Sequence, residues 1–251
     1  MPIYVREQVA AVAALFVLAR GDEQDAFDDG ERVRERADAP VAALNHFVFN
    51  ELGFAGNAEH YYDPRNSFLN EVLDRKLGIP ITLSVVYLEV AARVGFAVQG
   101  VGFPGHFLVK HVAGDRTVFV DPFNGGELLS ADDLAARHRS RAPDKDLDPQ
   151  LLAAASPRQI LTRMLHNLKR IYAEQRDDAR TLWVIDRLLL LAPEDPAERR
   201  DHGLVAARLG GASAAVADLE AYLAAAPGAA DEREIRALVA RLRTSAGRWV
   251  N

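Results

Sequence analysis

A histidine and an aspartate with complementary chemistry stand in a region of alternating apolar and polar residues. His106 lies in FPGHFLVKH and Asp121 in VFVDPFNGG. A carboxylate beside an imidazole orients the ring and stabilises its protonated form, as a general base requires. The pair therefore indicates proton transfer. Each residue alone also has an ordinary explanation, as a strand-end histidine and as a turn aspartate before Pro122.

The register of the strands that carry this pair decides whether the side chains meet. Alternation predicts three strands, over residues 96–103, 106–112 and 117–120. If residues 113–116 form the hairpin turn, Val112 faces Thr117. His106 and Asp121 are then diagonal neighbours on one sheet face, roughly 7 Å or less apart at Cβ, whereas a slip of one residue puts them on opposite faces.

A core helix is predicted just before the strands. Nearly every face of residues 81–94 is apolar, as in a helix that is buried on all sides. Pro80 suits its first position, because the fixed φ and missing N–H cost little there, and Gly95 suits its end. One interpretation of Pro80 is therefore a helix start and nothing more.

Further helices are predicted upstream. Helical spacing of apolar residues indicates three of them, over residues 5–20, 41–51 and 68–77. We expect Asn66 or Ser67 to cap the last of these, and Gly78 to end it in the left-handed conformation. Helices followed by an antiparallel sheet predict an α+β fold for this part of the chain.

The C-terminal part is predicted to be all-helical and repetitive. Residues 141–149 have the composition of an exposed connector, and beyond Ser156 only helical patterns occur. Ala192-Pro193 recurs as Ala226-Pro227, a spacing of 34 residues, which is the period of a tetratricopeptide repeat. A plain helical bundle is the alternative. The predicted domains are residues 1–147 and 156–251.

Composition narrows the classes of function. A net charge of −6 and a pI of about 5.7 argue against a nucleic-acid binder, which usually presents a basic face. The absence of cysteine excludes disulfides, cysteine–zinc sites and cysteine nucleophiles. The apolar run at residues 8–19 is too short to span a bilayer and lacks a cleavage signal, so we expect a cytoplasmic protein without a membrane partner.

Two long motifs carry a resemblance to a known family. They read DPRNSFLNEVLDRKLGIPITLSVVYLEVAARVGFAVQGVGFPGHFLVK and VFVDPFNGGELL, and they lie within residues 62–129. This stretch resembles the SirB-type transglutaminase-like proteins, which are similar also in carrying a tetratricopeptide-like tail. The resemblance implies a transglutaminase-like, papain-related core of helices packed on a small antiparallel sheet. It does not imply transglutaminase activity.

The resemblance gives the position of Pro80 a second meaning. In the wider superfamily a nucleophilic cysteine stands at the N-terminus of the core helix, where the helix dipole lowers its pKa. Here Gly78-Ile79-Pro80 puts a proline at that position, and the resemblance implies that this proline is usual in the SirB-type proteins. Proline has no side-chain nucleophile, which closes an acyl-enzyme route at residue 80.

Few other residues are candidates for the missing chemistry. Ser84 lies one turn deeper on nearly the same helix face and could act as a substitute nucleophile facing His106, although packing is its more ordinary role. A metal site is not expected, because His106 and His111 point to opposite strand faces and no His-Glu-x-x-His motif occurs. We expect no cofactor.

Loops around the start of the core helix are predicted to form a cleft. Its expected lining residues are Arg65, Asn66, Gly102, Gly105, Gly125 and Gly126. The glycines permit close approach of a ligand, but they suit turns equally well. Arg65 and Asn66 also suit a solvated charge and a helix cap.

Two functions from different classes follow. The first is a non-catalytic binding or adaptor protein that lacks the nucleophile, keeps the cleft and presents helical repeats to a protein or peptide. The second is a hydrolase or acyl-transfer enzyme that uses His106 and Asp121 with water or Ser84. Proline at residue 80 favours the first.

Overall fold

A computed structural model describes residues 40–246, and the helix predicted over residues 5–20 lies outside this range. The described residues form two compact units, one ending at Ile160 and one beginning at Leu161. The first unit mixes helices and strands, and the second is helical. An α+β core followed by an all-α region confirms the predicted fold class.

Short strands and turns alternate with helices in the first unit. Its elements are α1 (residues 40–51, π-helical over His46–Glu51), β1 (Ala55–Gly56), a 3-10 turn (Pro64–Ser67), α2 (Leu69–Arg75), β2 (Leu77–Gly78), α3 (Pro80–Arg93), β3 (Gln99–Val101), β4 (Leu108–Ala113), β5 (Arg116–Asp121), a 3-10 turn (Pro122–Asn124), β6 (Glu127–Leu129), α4 (Ala131–Arg141) and a 3-10 turn (Pro149–Leu152). The helices that follow are α5 (Pro157–Glu174), α6 (Asp178–Leu191), α7 (Pro196–Arg208), α8 (Ala212–Ala225) and α9 (Glu232–Ala246). None of these described helices combines the length and apolarity that crossing a bilayer requires.

α3 is the buried helix around which the first unit is built. Its side chains pack with α1 and with the sheet in one apolar cluster. Pro80 occupies its first position, and the Thr82 hydroxyl accepts a hydrogen bond from the Ile79 N–H at 3.1 Å. The helix ends just before Gly95, whose φ of +71° favours glycine. The predicted start and end of the core helix are therefore confirmed.

The sheet has the predicted hairpin at its centre. β3 to β6 lie side by side in chain order, and every neighbouring pair is antiparallel. Val112 pairs with Thr117 and Ala113 with Arg116, which is the predicted register. β3 and β4 are shorter than the predicted strands, because the chain leaves the ladder between them, whereas β5 is one residue longer at each end than predicted. β6 is missed by the prediction because three residues are too few to show alternation.

Two predictions about helix ends are wrong. α2 is followed by Lys76, not Gly78, in the left-handed conformation, with φ +61°. Gly78 instead belongs to a short parallel ladder with β1, where a Cβ would lie 2.8 Å from the Thr82 Oγ1. The N-cap of α2 is Phe68, without a side-chain cap, because the Asn66 side chain is engaged elsewhere.

The predicted connector over residues 141–149 is only partly an exposed linker. Residues 143–146 are exposed, but Leu147 is half-buried and packs, with Leu152 just beyond the connector, against the apolar cluster beside β3 and β4. The Ala155 N–H then donates to the Gly100 carbonyl at 2.8 Å. The chain therefore returns to β3 after α4, and the domain division made from the sequence stays a prediction.

The second unit shows the 34-residue period in its helix boundaries. α6 and α8 are offset by 34 residues at both ends. The residues that follow them, Ala192 and Ala226, are matching C-caps whose N–H groups donate to the carbonyls of Leu188 and Tyr222. Repeated helix ends of this kind distinguish a tetratricopeptide-like array from a plain bundle.

Gly203 in α7 packs directly against α8. A Cβ on Gly203 would lie 2.7 Å from the Leu219 Cγ. We expect Gly203→Ala to lower the unfolding free energy of the second unit by about 1–2 kcal/mol, because overpacking outweighs the gain in helix propensity. Urea unfolding followed by the fluorescence of Trp183, which lies on α6, measures this loss. An unchanged midpoint would contradict the contact.

Candidate functional site

His106 and Asp121 meet at the end of the hairpin opposite its turn. The sequence predicted His106 inside a strand, but the residue lies in the turn before β4. The backbone N–H of His106 donates to the Phe103 carbonyl at 3.0 Å. Asp121 is the last residue of β5. The His106 Nε2 and the Asp121 Oδ1 are 2.7 Å apart, so the two side chains are directly hydrogen-bonded.

Asp121 is a fully buried carboxylate that organises its surroundings. Its Oδ1 also accepts from the backbone N–H groups of Phe123 and Asn124 at 3.2 and 3.3 Å, and its Oδ2 accepts from the Asn124 Nδ2 at 2.8 Å. Burial alone would raise the Asp121 pKa, but the hydrogen bond and charge of His106 and the Asn124 bonds outweigh it and hold the pKa below its ordinary value. Asp121 is therefore ionised at neutral pH.

The bond to Asp121 determines the proton pattern of His106. When Nε2–H donates to the carboxylate, a neutral imidazole carries its lone pair on Nδ1. Asp121 also stabilises the imidazolium that forms if Nδ1 takes up a proton. The His106 side chain is 15% exposed. The geometry therefore suits a proton acceptor that is partly open to solvent.

The first turns of α3 offer no accessible nucleophile to this pair. Pro80 is buried at the first helical position. The Thr82 hydroxyl is fully buried and donates to the Asn66 carbonyl at 2.8 Å. Ser84 is fully buried too, and its hydroxyl lies 3.5 Å from the Phe107 carbonyl, at the limit of a hydrogen bond. Ser84 thus lies in the packed interior, without access to the surface.

Two arginines of α4 hold the loops that carry the pair. Arg137 donates to the Asp121 Oδ2 at 3.3 Å and makes two bonds of 2.8 Å to the Glu127 carboxylate. Arg141, one turn later, donates to the Pro104 carbonyl at 2.9 Å, in the turn that carries the histidine. Sequence reasoning misses both arginines, although their spacing of four on a helix is a usable signal.

Aromatic rings border the histidine. The Phe123 ring meets the His106 ring edge-on at a centroid distance of 6.1 Å, and the Tyr61 ring meets Phe123 at 5.8 Å. Tyr62, which is 54% exposed, continues the row at 5.2 Å from Tyr61. These four rings form an aromatic wall from the imidazole to the surface.

The two polar residues predicted to line the cleft have structural partners. Arg65 forms an ion pair with Asp63 at 2.7 Å, and its side-chain hydrogen bond lowers the Asp63 pKa. Asn66 is fully buried, and its amide donates to the carbonyls of His60 and Tyr61 at 2.7 and 3.2 Å. Asn66 therefore stabilises the loop that contains His60 and Tyr61, and its buried side chain is not available to a ligand.

The four glycines predicted to line the cleft lie in or beside the turns that follow β3 and β5. Gly102 follows β3, and Gly105 lies in the histidine turn, where its φ of +69° favours glycine. A Cβ on Gly125, at the end of the turn after β5, would meet no atom within 4 Å. A Cβ on Gly126 would lie 2.6 Å from the Asn45 side chain, so close packing requires glycine there. Of Gly105, Gly125 and Gly126, only Gly125 has open space where a side chain would lie.

Thr82 ties the start of α3 to the loop before α2, and this gives a test of the site's scaffold. We expect Thr82→Val to lower the unfolding free energy of the first unit by about 1–3 kcal/mol, because the Ile79 N–H and the Asn66 carbonyl both lose a buried partner. Thr82→Ser keeps the hydroxyl and should cost about 1 kcal/mol or less. Circular dichroism during urea unfolding compares them, and equal losses would contradict the hydroxyl's role.

Comparison with known families divides the chain into two matched regions. Residues 10–166 match the family described as the transglutaminase-like superfamily, and residues 168–240 match the family described as the tetratricopeptide repeat. The first match covers more than half of the chain and includes α3 and the His106–Asp121 pair. No solved structure matches the chain at a significant level.

Similar proteins come from bacteria and from animals. The UPF0162 protein of Xylella fastidiosa strain Temecula1 is 46% identical over 187 residues, which are 73% of this chain and 66% of that protein. The UPF0162 protein of Vibrio cholerae is 32% identical over 198 residues, 78% of this chain and 73% of that protein. F-box only protein 21 of Mus musculus is 31% identical over 137 residues, 50% of this chain and 21% of that protein. The chain thus spans slightly less than two thirds of the Xylella relatives it matches.

Proposed function

Because the chain belongs to the transglutaminase-like superfamily, and within it to the UPF0162 proteins, we propose that it is a non-catalytic binding or adaptor protein. The cleft beside His106 is one proposed binding surface. The tetratricopeptide-repeat region is the second and takes a protein or peptide partner, since such repeats build extended binding surfaces. The proposed place of action is the cytoplasm.

One observation carries this proposal, and it concerns the start of the core helix. Pro80 is buried at the first position of α3, which the resemblance makes the equivalent of the superfamily's cysteine position. A proline side chain cannot attack a carbonyl, and a chain without cysteine has no other thiol to do so. The hydroxyls of Thr82 and Ser84 are fully buried. A base without a nucleophile supports binding rather than covalent catalysis.

The contacts of Asp121 give the His106–Asp121 pair a structural role that does not depend on catalysis. Its carboxylate joins the histidine turn, the turn after β5 and α4 through bonds from His106, Asn124 and Arg137. These elements carry the imidazole and the Phe123 ring of the aromatic wall. In this proposal the pair therefore fixes the shape of a binding surface.

A substrate panel tests the non-catalytic part of the proposal. We expect the full chain to release no product above background from amide, ester and isopeptide substrates, and His106→Ala to behave in the same way. His111→Ala is the matched control, because His111 lies on β4 and bonds the Ala97 carbonyl. Turnover that disappears in His106→Ala but persists in His111→Ala, with both variants folded, would overturn the proposal.

Cross-linking in native cell extract tests the adaptor part. With the full chain as bait, we expect one recurrent partner whose cross-links fall within residues 161–246. Cross-links scattered over many proteins, or none above those of an unrelated control protein, would count against an adaptor role for the repeats.

A second candidate function is a hydrolase in which His106 activates water. The observation that favours it is the 2.7 Å bond from His106 to an ionised, buried Asp121. Water would attack directly, so no acyl-enzyme would form and product would appear without a burst. Ser84→Ala would leave such a rate unchanged, whereas a serine nucleophile would lose it.

A further inference from the structure

The turn after β5 contains the only asparagine of the sequence that is followed by glycine. Asn124 ends this 3-10 turn, and both Asn124 and Gly125 are exposed. Gly125 has a φ of +66°, and a Cβ on it would meet no atom of residues 40–246 within 4 Å. Solvent therefore reaches the Asn124–Gly125 peptide, and the following residue puts no side chain beside the peptide nitrogen.

An asparagine before glycine is prone to an intramolecular reaction of its side-chain amide. The backbone nitrogen of the glycine attacks the side-chain carbonyl carbon, gives up its proton and expels ammonia, which leaves a cyclic imide. Water then opens the ring at either carbonyl and yields aspartate or isoaspartate. Glycine favours ring closure because it has no Cβ and the widest choice of φ and ψ. The reaction consumes one water and releases one ammonia.

The other asparagines of the described residues are less suited to this reaction. Asn57 and Asn66 precede the small residues Ala58 and Ser67, but both asparagines are buried. The remaining ones precede larger side chains, which hinder ring closure: Asn45, Asn50, Asn70 and Asn167. Exposure and a following glycine therefore coincide at Asn124.

Asn124 contacts the buried carboxylate of the His106–Asp121 pair. Its Nδ2 donates to the Asp121 Oδ2 at 2.8 Å, and its backbone N–H donates to the Asp121 Oδ1 at 3.3 Å. These bonds help to hold the pKa of Asp121 below its ordinary value. A carboxylate at residue 124 would remove the Nδ2 donor and place a negative charge beside Asp121. Two carboxylates so close together oppose each other's ionisation.

We propose that Asn124 is a site of spontaneous deamidation, and that aspartate or isoaspartate at this position releases the turn after β5 from Asp121. Ammonia escapes into solvent, so the change does not reverse by itself. Isoaspartate also adds one atom to the backbone, which the turn accommodates only by moving. The turn carries Phe123 of the aromatic wall, so the modification alters the surface beside His106. It needs no partner and no substrate, and it therefore goes beyond the proposed function.

Ageing of the folded full chain at mildly alkaline pH tests the reaction. The protein is digested at intervals, and mass spectrometry follows the exchange of NH₂ for OH in each asparagine peptide; the same incubation in urea gives the rate in the unfolded chain. We expect the Asn124 peptide to convert first in the folded protein. An Asn124 peptide that converts in urea but stays intact in the folded chain would overturn the site, as would conversion no faster than that of Asn70.

Asn124→Gln is the matched control for the mechanism. Glutamine keeps the amide but has to close a larger ring, so we expect its peptide to stay intact over the time in which wild type converts. Conversion of Asn124→Gln at the wild-type rate would contradict attack by the Gly125 nitrogen.

Hydrogen exchange in β5 tests the structural consequence in the same samples. We expect aged wild type and fresh Asn124→Asp to lose protection in β5 relative to fresh wild type. Asn70→Asp controls for the added charge, because Asn70 is exposed on α2, and its β5 protection should match wild type. Aged protein that has converted at Asn124 but is protected as well as fresh protein would overturn the release of the turn. If Asn124→Asp does not fold, the comparison of fresh and aged wild type decides.

Discussion

Asp121→Asn is expected to lower the unfolding free energy of the first unit by about 3–5 kcal/mol at neutral pH. The variant keeps the size of the side chain but removes the charge that faces His106 and Arg137. Both carboxylate oxygens of Asp121 accept hydrogen bonds. The amide of asparagine replaces one of these acceptors with an NH₂ donor. A buried donor then faces another donor, which costs the full desolvation of both groups.

The contribution of Asp121 depends on pH in a defined direction. Burial works to raise its pKa, but His106 and Asn124 lower the pKa below its ordinary 3.8. The folded state therefore binds this proton less tightly than the unfolded state does. The stabilisation that the Asp121 carboxylate contributes is complete above its pKa in the unfolded state. This stabilisation is lost as the pH falls through its pKa in the folded state. We expect the part of the difference between wild type and Asp121→Asn that comes from ionisation of the Asp121 carboxylate to be complete above about pH 5 and to shrink below about pH 4.

Amide hydrogen exchange in β4 and β5 measures this effect. Tryptophan fluorescence does not, because both tryptophans lie beyond residue 160 in the sequence. Asp74→Asn is the control, since Asp74 is exposed near the end of α2, and it should change stability by about 0.5 kcal/mol or less. Equal protection of β5 in wild type and Asp121→Asn would contradict the organising role of the carboxylate.

Local signals predicted the hairpin and the core helix, and through them the geometry of the pair. A tight turn at residues 113–116 leaves one alignment of β4 with β5, so His106 and Asp121 had to approach each other once that turn was located. Pro80 and Gly95 mark the ends of α3 through their own backbone preferences. At these positions the residue's own backbone preference decides its role, and the sequence was sufficient.

Predictions failed where the role depends on distant contacts. Gly78 is glycine because Thr82 packs against it. Asn66 is buried and stabilises the preceding loop, because its side chain hydrogen-bonds Asn57 and the His60 carbonyl. Neither contact leaves a periodic pattern in the chain. The reach of Arg137 to Asp121 depends in the same way on how α4 docks, which a single sequence does not reveal.

Gly56→Ala is expected to destabilise the first unit by about 3 kcal/mol. A Cβ on Gly56 would lie 2.4 Å from the Phe123 carbonyl oxygen and 2.8 Å from its ring. The φ of Gly56 lies outside the left-handed region, so alanine is not strained by its own backbone and the cost comes from the contact. Relief requires the turn after β5 to move, and that turn carries Asn124, which bonds Asp121.

Displacement of that turn should also reach the histidine. We expect the ¹⁵N shifts of the His106 ring in Gly56→Ala to show a weaker preference for the proton on Nε2, because Asp121 shares its Oδ1 between His106 and the turn. Hydrogen exchange in β5 measures the loss of stability in the same samples. A destabilised protein with an unchanged His106 ring would separate the packing role of Gly56 from the site.

Double variants distinguish a collision with the backbone from one with a side chain. In Gly203→Ala the nearest atom belongs to the Leu219 side chain, so a double-mutant cycle with Leu219→Ala should show a favourable coupling of about 1 kcal/mol. In Gly56→Ala the nearest atom is a carbonyl oxygen, which Phe123→Ala leaves in place. We therefore expect a smaller coupling in that pair. A larger one would locate the conflict in the Phe123 ring and would make the aromatic wall, not the turn, the part that Gly56 positions.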